Sequence, residues 1–154
     1  MKEIVEILKT RKQTISTMES CTGGAIVNEI TNIEGASNVI KYSAITYSNE
    51  FKIKMGISKE VIEEYTVYSQ QVADEMSMVI ANYTDSDYGI GVTGKLCVVD
   101  DENPYGENDL VYISIYDRNK KKFYHKINKC HQNNRLDNKI SVVNEVVKLL
   151  KEIL

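Results

Sequence analysis

Thr14-Ile15-Ser16-Thr17-Met18-Glu19-Ser20-Cys21-Thr22-Gly23-Gly24-Ala25-Ile26-Val27-Asn28-Glu29-Ile30 is the stretch from which the architecture of this chain is read. Thr14 to Met18 reads as an apolar strand and Ala25 to Ile30 as a helix with an apolar stripe. Between them stand a small nucleophile and two glycines. At a strand-to-helix turn the first helical N–H groups lack intrahelical acceptors and the helix dipole is positive. An anion or a developing oxyanion is therefore stabilised there.

Working outward, Ile4, Val5, Ile7 and Leu8 recur at helical spacing and predict a helix from Met1 to about Lys12. Asn38 to Tyr47 alternates aromatic or β-branched residues with small ones and predicts a second strand. A helix follows from about Asn49 to Met55 and ends at Gly56. Ser58 and Ser69 are expected to cap two further helices, the second carrying Val72, Met76, Val79, Ile80 and Tyr83 on one stripe. Tyr88 to Thr93 reads as a buried strand, and a long polar loop from about Gly94 to Asp109 holds the single proline, Pro104. Leu110 to Tyr116 and Lys122 to Lys129 predict a hairpin, and Leu136 to Leu154 a closing helix. Helices interleaved with strands in this order predict an α/β fold, a three-layer α/β/α sandwich around a mixed sheet of about five strands.

The 154 residues, 42% of them hydrophobic, suit one domain over residues 1–154 with one buried core. A formal net charge of −3 argues against a nucleic-acid partner bound through a basic surface. Lys120, Lys121 and Lys122 read as a solvated hairpin turn. No apolar run has the ~20 residues of a membrane span, and the amino terminus lacks a signal-peptide pattern, so a soluble, cytoplasmic protein with no membrane partner is expected. Cys21, Cys97 and Cys130 are odd in number and irregularly spaced, which predicts reduced thiols rather than a disulfide framework. With His125 and His131 the only histidines, and neither in a metal-binding pattern, no metal is expected.

Several residues have chemistry to offer. Ser20 follows the strand, but a serine hydroxyl needs a base to become nucleophilic. Lys52 sits just after a strand end, where it can share a sheet edge with Ser20, the edge at which open α/β sheets bind ligands. It serves as a base only if burial or a neighbouring cation brings its pKa down. Each residue also has a plain structural role available. Ser20 and Thr22 can cap the helix, Cys21 can be a buried thiol or a nucleophile, Lys52 can be a solvated helix lysine and Tyr47 a strand aromatic. Gly89 to Lys95 (GIGVTGK) has P-loop spacing, yet Leu96 stands where a Ser or Thr should hold Mg²⁺ and a polar loop follows instead of a helix, which argues against a nucleoside triphosphatase.

ESCTGG after a strand, the Gly35-Ala36-Ser37 turn, YSNEFK at Tyr47 to Lys52, Val67-Tyr68-Ser69-Gln70-Gln71-Val72-Ala73 and Gly91-Val92-Thr93-Gly94 together resemble the carboxy-terminal domain of the competence-damage-inducible protein CinA, the nicotinamide-nucleotide amidohydrolase family. The resemblance runs from about residue 5 to the end of the chain. It implies hydrolysis of the carboxamide of nicotinamide mononucleotide to nicotinic acid mononucleotide and ammonia, with no cofactor or metal. The matching positions are Ser20 as nucleophile and Lys52 as base, with Tyr47 orienting the lysine or the substrate. It further implies a substrate contact or electrostatic role for Arg135, in the segment His131 to Arg135; from the chemistry of the turn, N–H groups around Cys21, Thr22, Gly23 and Gly24 are suited to holding the oxyanion, and Thr93 and Gly94, at another strand end, to holding the substrate phosphate or amide. The implied partners are a pyridine mononucleotide and, since relatives often assemble, further copies of the chain. One departure stands out: where the family continues with Ile-Ala-Gly-Pro and a glycine-rich loop, this chain reads Lys95-Leu96-Cys97-Val98-Val99-Asp100-Asp101-Glu102-Asn103. An alternative therefore stays open, a catalytically silent relative that binds a small ligand or a partner through the altered loop 95–109.

Overall fold

The computed structural model describes residues 1–131 and 134–154. Its elements follow in the order α1 (Lys2–Arg11), β1 (Ile15–Glu19), α2 (Ala25–Thr31), a 3₁₀ turn (Ala36–Asn38), β2 (Ile40–Ile45), α3 (Asn49–Lys54), α4 (Lys59–Tyr65), α5 (Gln70–Thr84), β3 (Tyr88–Gly94), β4 (Leu110–Asp117), β5 (Lys122–Lys129) and α6 (Arg135–Ile153). The strands form one mixed sheet in the order β2-β1-β3-β4-β5. β1 pairs in parallel with β2 and β3, whereas β3-β4 and β4-β5 are antiparallel.

Position in the sheet explains the strand sequences. Every residue of β1 and of β3 is buried, as expected for central strands covered on both faces. The edge strand β5 is mostly exposed and carries four of its eight residues as Lys or His, which discourages pairing with another edge. β2 is shorter than the sequence suggests, because Ala36–Asn38 close a 3₁₀ turn and Val39 presents its carbonyl to the Ile15 N–H at 2.7 Å.

Helices cover both faces. Ile4, Val5 and Leu8 of α1, Ile26 and Ile30 of α2, and Val142, Val146 and Leu150 of α6 pack with Ile15, Ile90, Val92 and Ile113 on one face. On the other, Val72, Met76 and Ile80 of α5 pack with Met18, Ala44 and Ile57. Each fully buried aliphatic side chain contributes about 1.5–3 kcal/mol, so these two clusters hold the three layers together. β3 and α5 approach unusually closely: a Cβ on Gly91 would lie 2.2 Å from the Ala73 carbonyl oxygen, so only glycine admits the helix at this distance.

Side-chain caps set where the helices begin. Ser48, Ser58, Ser69 and Asn134 accept from the backbone N–H groups of Phe51, Val61, Val72 and Asp137 respectively. The cap at Ser48 starts α3 immediately after β2, which places Lys52 over the end of the sheet. Among the described residues, no helix is long and apolar enough to cross a membrane.

Candidate active site

Because β1 and β2 run in parallel, their carboxyl ends emerge at one edge of the sheet. Ser20 follows β1, its N–H donating to the Val92 carbonyl at 3.0 Å. Thr46 follows β2, its N–H donating to the Glu19 carbonyl at 2.8 Å. One turn into α3, Lys52 folds its side chain back over this edge. Its Nζ donates to Ser20 Oγ at 3.1 Å and to the Thr46 carbonyl at 2.8 Å.

Lys52 is only 1% exposed. Burial pulls its ammonium down to about 8, with Cys21 and Asp100 opposing part of the fall. Withdrawal from water disfavours the charged form. At 3.1 Å the pair can also run in the reverse sense, with neutral Nζ accepting the Ser20 hydroxyl proton. Cys21 differs sharply: burial pushes its thiol up to about 12, which leaves it protonated and unsuited to attack.

The turn after Ser20 is organised by Glu19, a fully buried carboxylate. It accepts from the N–H groups of Gly24, Ile26 and Val27 at 3.0, 3.1 and 2.9 Å, and from the Thr17 hydroxyl at 3.1 Å. The start of α2 is therefore already occupied by an anion belonging to the chain itself, which corrects the expectation that amides from Cys21 through Gly24 are all open to a ligand. The Gly23 N–H is spent on the Ser20 carbonyl at 3.0 Å. Among the described residues, only the Cys21 and Thr22 N–H groups of this turn lack a protein acceptor. Gly23 and Gly24 serve the backbone: both have positive φ, 62° and 93°.

Ser20 and Lys52 open into a cavity of about 870 Å³. Of the other residues expected at the site, Cys21, Tyr47, Gly94 and Arg135 line it, whereas Thr22, Gly23, Gly24 and Thr93 do not. Thr93 is a correction with a plain cause: it is fully buried and its hydroxyl donates to the Val67 carbonyl at 2.9 Å, tying β3 to the approach to α5. Tyr47 does not bond to Lys52; its hydroxyl accepts from Arg135 at 3.1 Å on the exposed side of the cavity. This places Arg135 at the site, while Gln132 and Asn133 of the same segment lie outside the described residues. His125 pairs instead with Asp74 at 2.9 Å.

Four further residues of the cavity wall carried no individual site role in the sequence reading: Tyr68, Lys95, Asp100 and Asn103. The Tyr68 hydroxyl donates to Asp100, which also accepts from the Asn103 side chain at 3.0 Å and from the Glu102 and Asn103 N–H groups at 3.1 and 3.4 Å. The Tyr68 hydrogen bond holds the Asp100 carboxyl below its usual range, while burial and that same carboxylate push the Tyr68 phenol up. Asn49 of α3 donates to Asn103 at 2.8 Å, tying the loop to the helix that carries Lys52. The sequence signal was present in the clustered Asp100-Asp101-Glu102-Asn103, but its partner Tyr68 is distant in the chain. Among the described residues, no three His, Cys, Asp or Glu side chains cluster as a metal site.

The family model of the CinA C-terminal domain matches residues 1–154. The chain is 38% identical over 120 residues to a competence-damage inducible protein of Clostridium kluyveri, covering 77% of this chain and 29% of that protein. A competence-damage inducible protein of Clostridium botulinum is 42% identical over 116 residues, covering 73% and 28% respectively. The chain thus spans less than a third of the length of these relatives. Among solved structures, a CinA superfamily protein from Escherichia coli superposes with a TM-score of 0.86 at 21% identity, covering 99% of this chain and 87% of that one. The competence/damage inducible protein CihA from Agrobacterium tumefaciens gives 0.80 at 26%, covering 96% and 94%.

Proposed function

Because the chain belongs to the CinA C-terminal domain family, we propose that it is an amidohydrolase that cleaves the carboxamide of nicotinamide mononucleotide, giving nicotinic acid mononucleotide and ammonia. The observation that carries this reading is the buried hydrogen bond of 3.1 Å between Lys52 Nζ and Ser20 Oγ, made by a lysine whose pKa burial brings to about 8.

In the proposed reaction neutral Lys52 takes the Ser20 hydroxyl proton as Oγ attacks the carboxamide carbon. The Cys21 N–H, on the cavity wall, receives the resulting oxyanion, a contribution of about 3–4 kcal/mol for a well-placed donor. Protonated Lys52 then gives its proton to the departing nitrogen, ammonia leaves, and an ester on Ser20 remains. A water deprotonated by the again-neutral Lys52 hydrolyses that ester, returning Ser20 and the free acid. The Thr46 carbonyl, 2.8 Å from Nζ, holds the amine in place in both half-reactions. Cys21, with its thiol at about 12, has no covalent role.

Ammonia release from nicotinamide mononucleotide by the purified chain tests this directly. Turnover is expected, and Ser20→Ala and Lys52→Ala are each expected to lower kcat by at least about a thousandfold with circular dichroism unchanged. A folded wild-type chain that releases no ammonia would instead assign it to the silent, ligand-binding members implied by the altered loop 95–109.

A further inference from the structure

Lys95 is a second buried lysine in the same cavity, and the proposed chemistry does not use it. It is 3% exposed and lines the cavity together with Ser20 and Lys52. Its backbone continues β3, where the Lys95 N–H donates to the Leu110 carbonyl at 3.0 Å. Its Nζ donates to Asn108 Oδ1 at 3.1 Å and stands 5.2 Å from the centre of the Tyr68 ring. Both partners are neutral, and among the described residues no carboxylate forms an ion pair with it. A buried ammonium without an ion-pair partner has donors to offer an anion entering the cavity, where the pairing is little screened by water. Of its three N–H donors, one is used by Asn108, leaving the others for a ligand.

The charges around the cavity are segregated. Lys52 and Lys95 lie on its buried wall, whereas Glu50, Asp101 and Glu102 are exposed at its rim. Asp100 is already engaged by Tyr68, Asn103 and two backbone amides. In the proposed reaction the carboxamide end of the ligand reaches Ser20 beside Lys52, so Lys95 is the buried cation of the wall left to receive an anionic group of the same ligand. The Gly94-Lys95 step that gave the false P-loop spacing has a different use here, presenting an ammonium at the end of a central strand.

We propose that Lys95 is a specificity-determining residue that receives the phosphate monoester of the ligand in this cavity. This assignment deepens the amidohydrolase reading, on which it rests only for the identity of the rest of the ligand. The competing explanation is that Lys95, through Asn108, merely pins together the two ends of loop 95–109.

Calorimetric titration of the full chain with ribose 5-phosphate and with ribose separates the two, independently of turnover. Lys95→Met is expected to weaken ribose 5-phosphate binding at least about tenfold while weakening ribose binding far less, and Lys95→Arg to restore the phosphate sugar to within about threefold. Equal weakening of both sugars, an unchanged affinity in Lys95→Met, or no measurable binding of ribose 5-phosphate to the wild type would overturn the assignment. Should Lys95→Met fail to fold, a crystal of the wild-type chain with ribose 5-phosphate decides: phosphate oxygens within hydrogen-bond reach of Lys95 Nζ support it, and phosphate density elsewhere or none overturns it. A chain that binds ribose 5-phosphate through Lys95 but releases no ammonia from nicotinamide mononucleotide keeps this assignment and loses the hydrolase reading.

Discussion

Titrating Lys52 is the most direct probe of the Ser20-Lys52 pair. With burial holding the ammonium at about 8, about a tenth of the lysine is neutral at pH 7, whereas a solvated lysine with pKa ~10.4 would be neutral in roughly 1 molecule in 2,500. Burial therefore supplies roughly two-hundred-fold more free base at neutral pH. The expected profile of kcat/KM for ammonia release from nicotinamide mononucleotide climbs about tenfold per pH unit below pH 7, bends near pH 8 and levels above it. Asp100→Asn removes a charge that opposes the fall and should move the bend to lower pH. The same shift governs stability. Below about pH 8 both folded and unfolded chains hold the Lys52 proton, and the fold bears the full penalty of the buried charge. Between about pH 8 and ~10.4 the unfolded chain binds more protons, so the Lys52 contribution becomes more favourable as pH rises. Across that window the wild type should gain on the order of 3 kcal/mol relative to Lys52→Met in urea unfolding. A bend at or above pH ~10, or parallel stability curves for wild type and Lys52→Met, would show that Lys52 keeps its ordinary basicity and would remove it as the base.

Two further substitutions probe the frame that holds the pair. Glu19→Ala should cost about 3 kcal/mol or more in urea unfolding, since it strands the Gly24, Ile26 and Val27 N–H groups at about 1–3 kcal/mol for each unsatisfied buried group; Glu19→Gln, which keeps an acceptor, should cost less. Gly91→Ala would set a Cβ 2.2 Å from the Ala73 carbonyl oxygen and 2.6 Å from the Ser77 nitrogen, and overpacking of this kind should cost about 2 kcal/mol and lower Tm by roughly 5 °C. A Tm within a degree of wild type would mean that α5 is free to move off β3.

Local signals in this chain were strong where geometry is local. The ESCTGG turn lies between β1 and α2, and the caps at Ser58 and Ser69 open α4 and α5 as their side-chain chemistry requires. The placement of Ser20 and Lys52 at one sheet edge was also legible, because a strand-to-helix turn leaves its residues at the strand's end. What remained hidden depended on contacts between distant segments. In the sequence Glu19 is only the residue that precedes Ser20. Only the fold directs its carboxylate into the start of α2, consuming amides that a helix terminus alone would offer to a ligand. Thr93 read as a substrate group at a strand end, yet alternation along β3 and the approach of Val67 turn its hydroxyl into the protein.

The sequence by itself determined the alternation of strands and helices and the identities of the candidate nucleophile and base, since apolar period, capping and turn chemistry are properties of neighbouring residues. Only the tertiary structure decided that Lys52 is shielded from water and that Lys95 is buried with no carboxylate ion pair among the described residues. Desolvation depends on everything that surrounds a charge, and those surroundings are contributed by segments far apart in the chain.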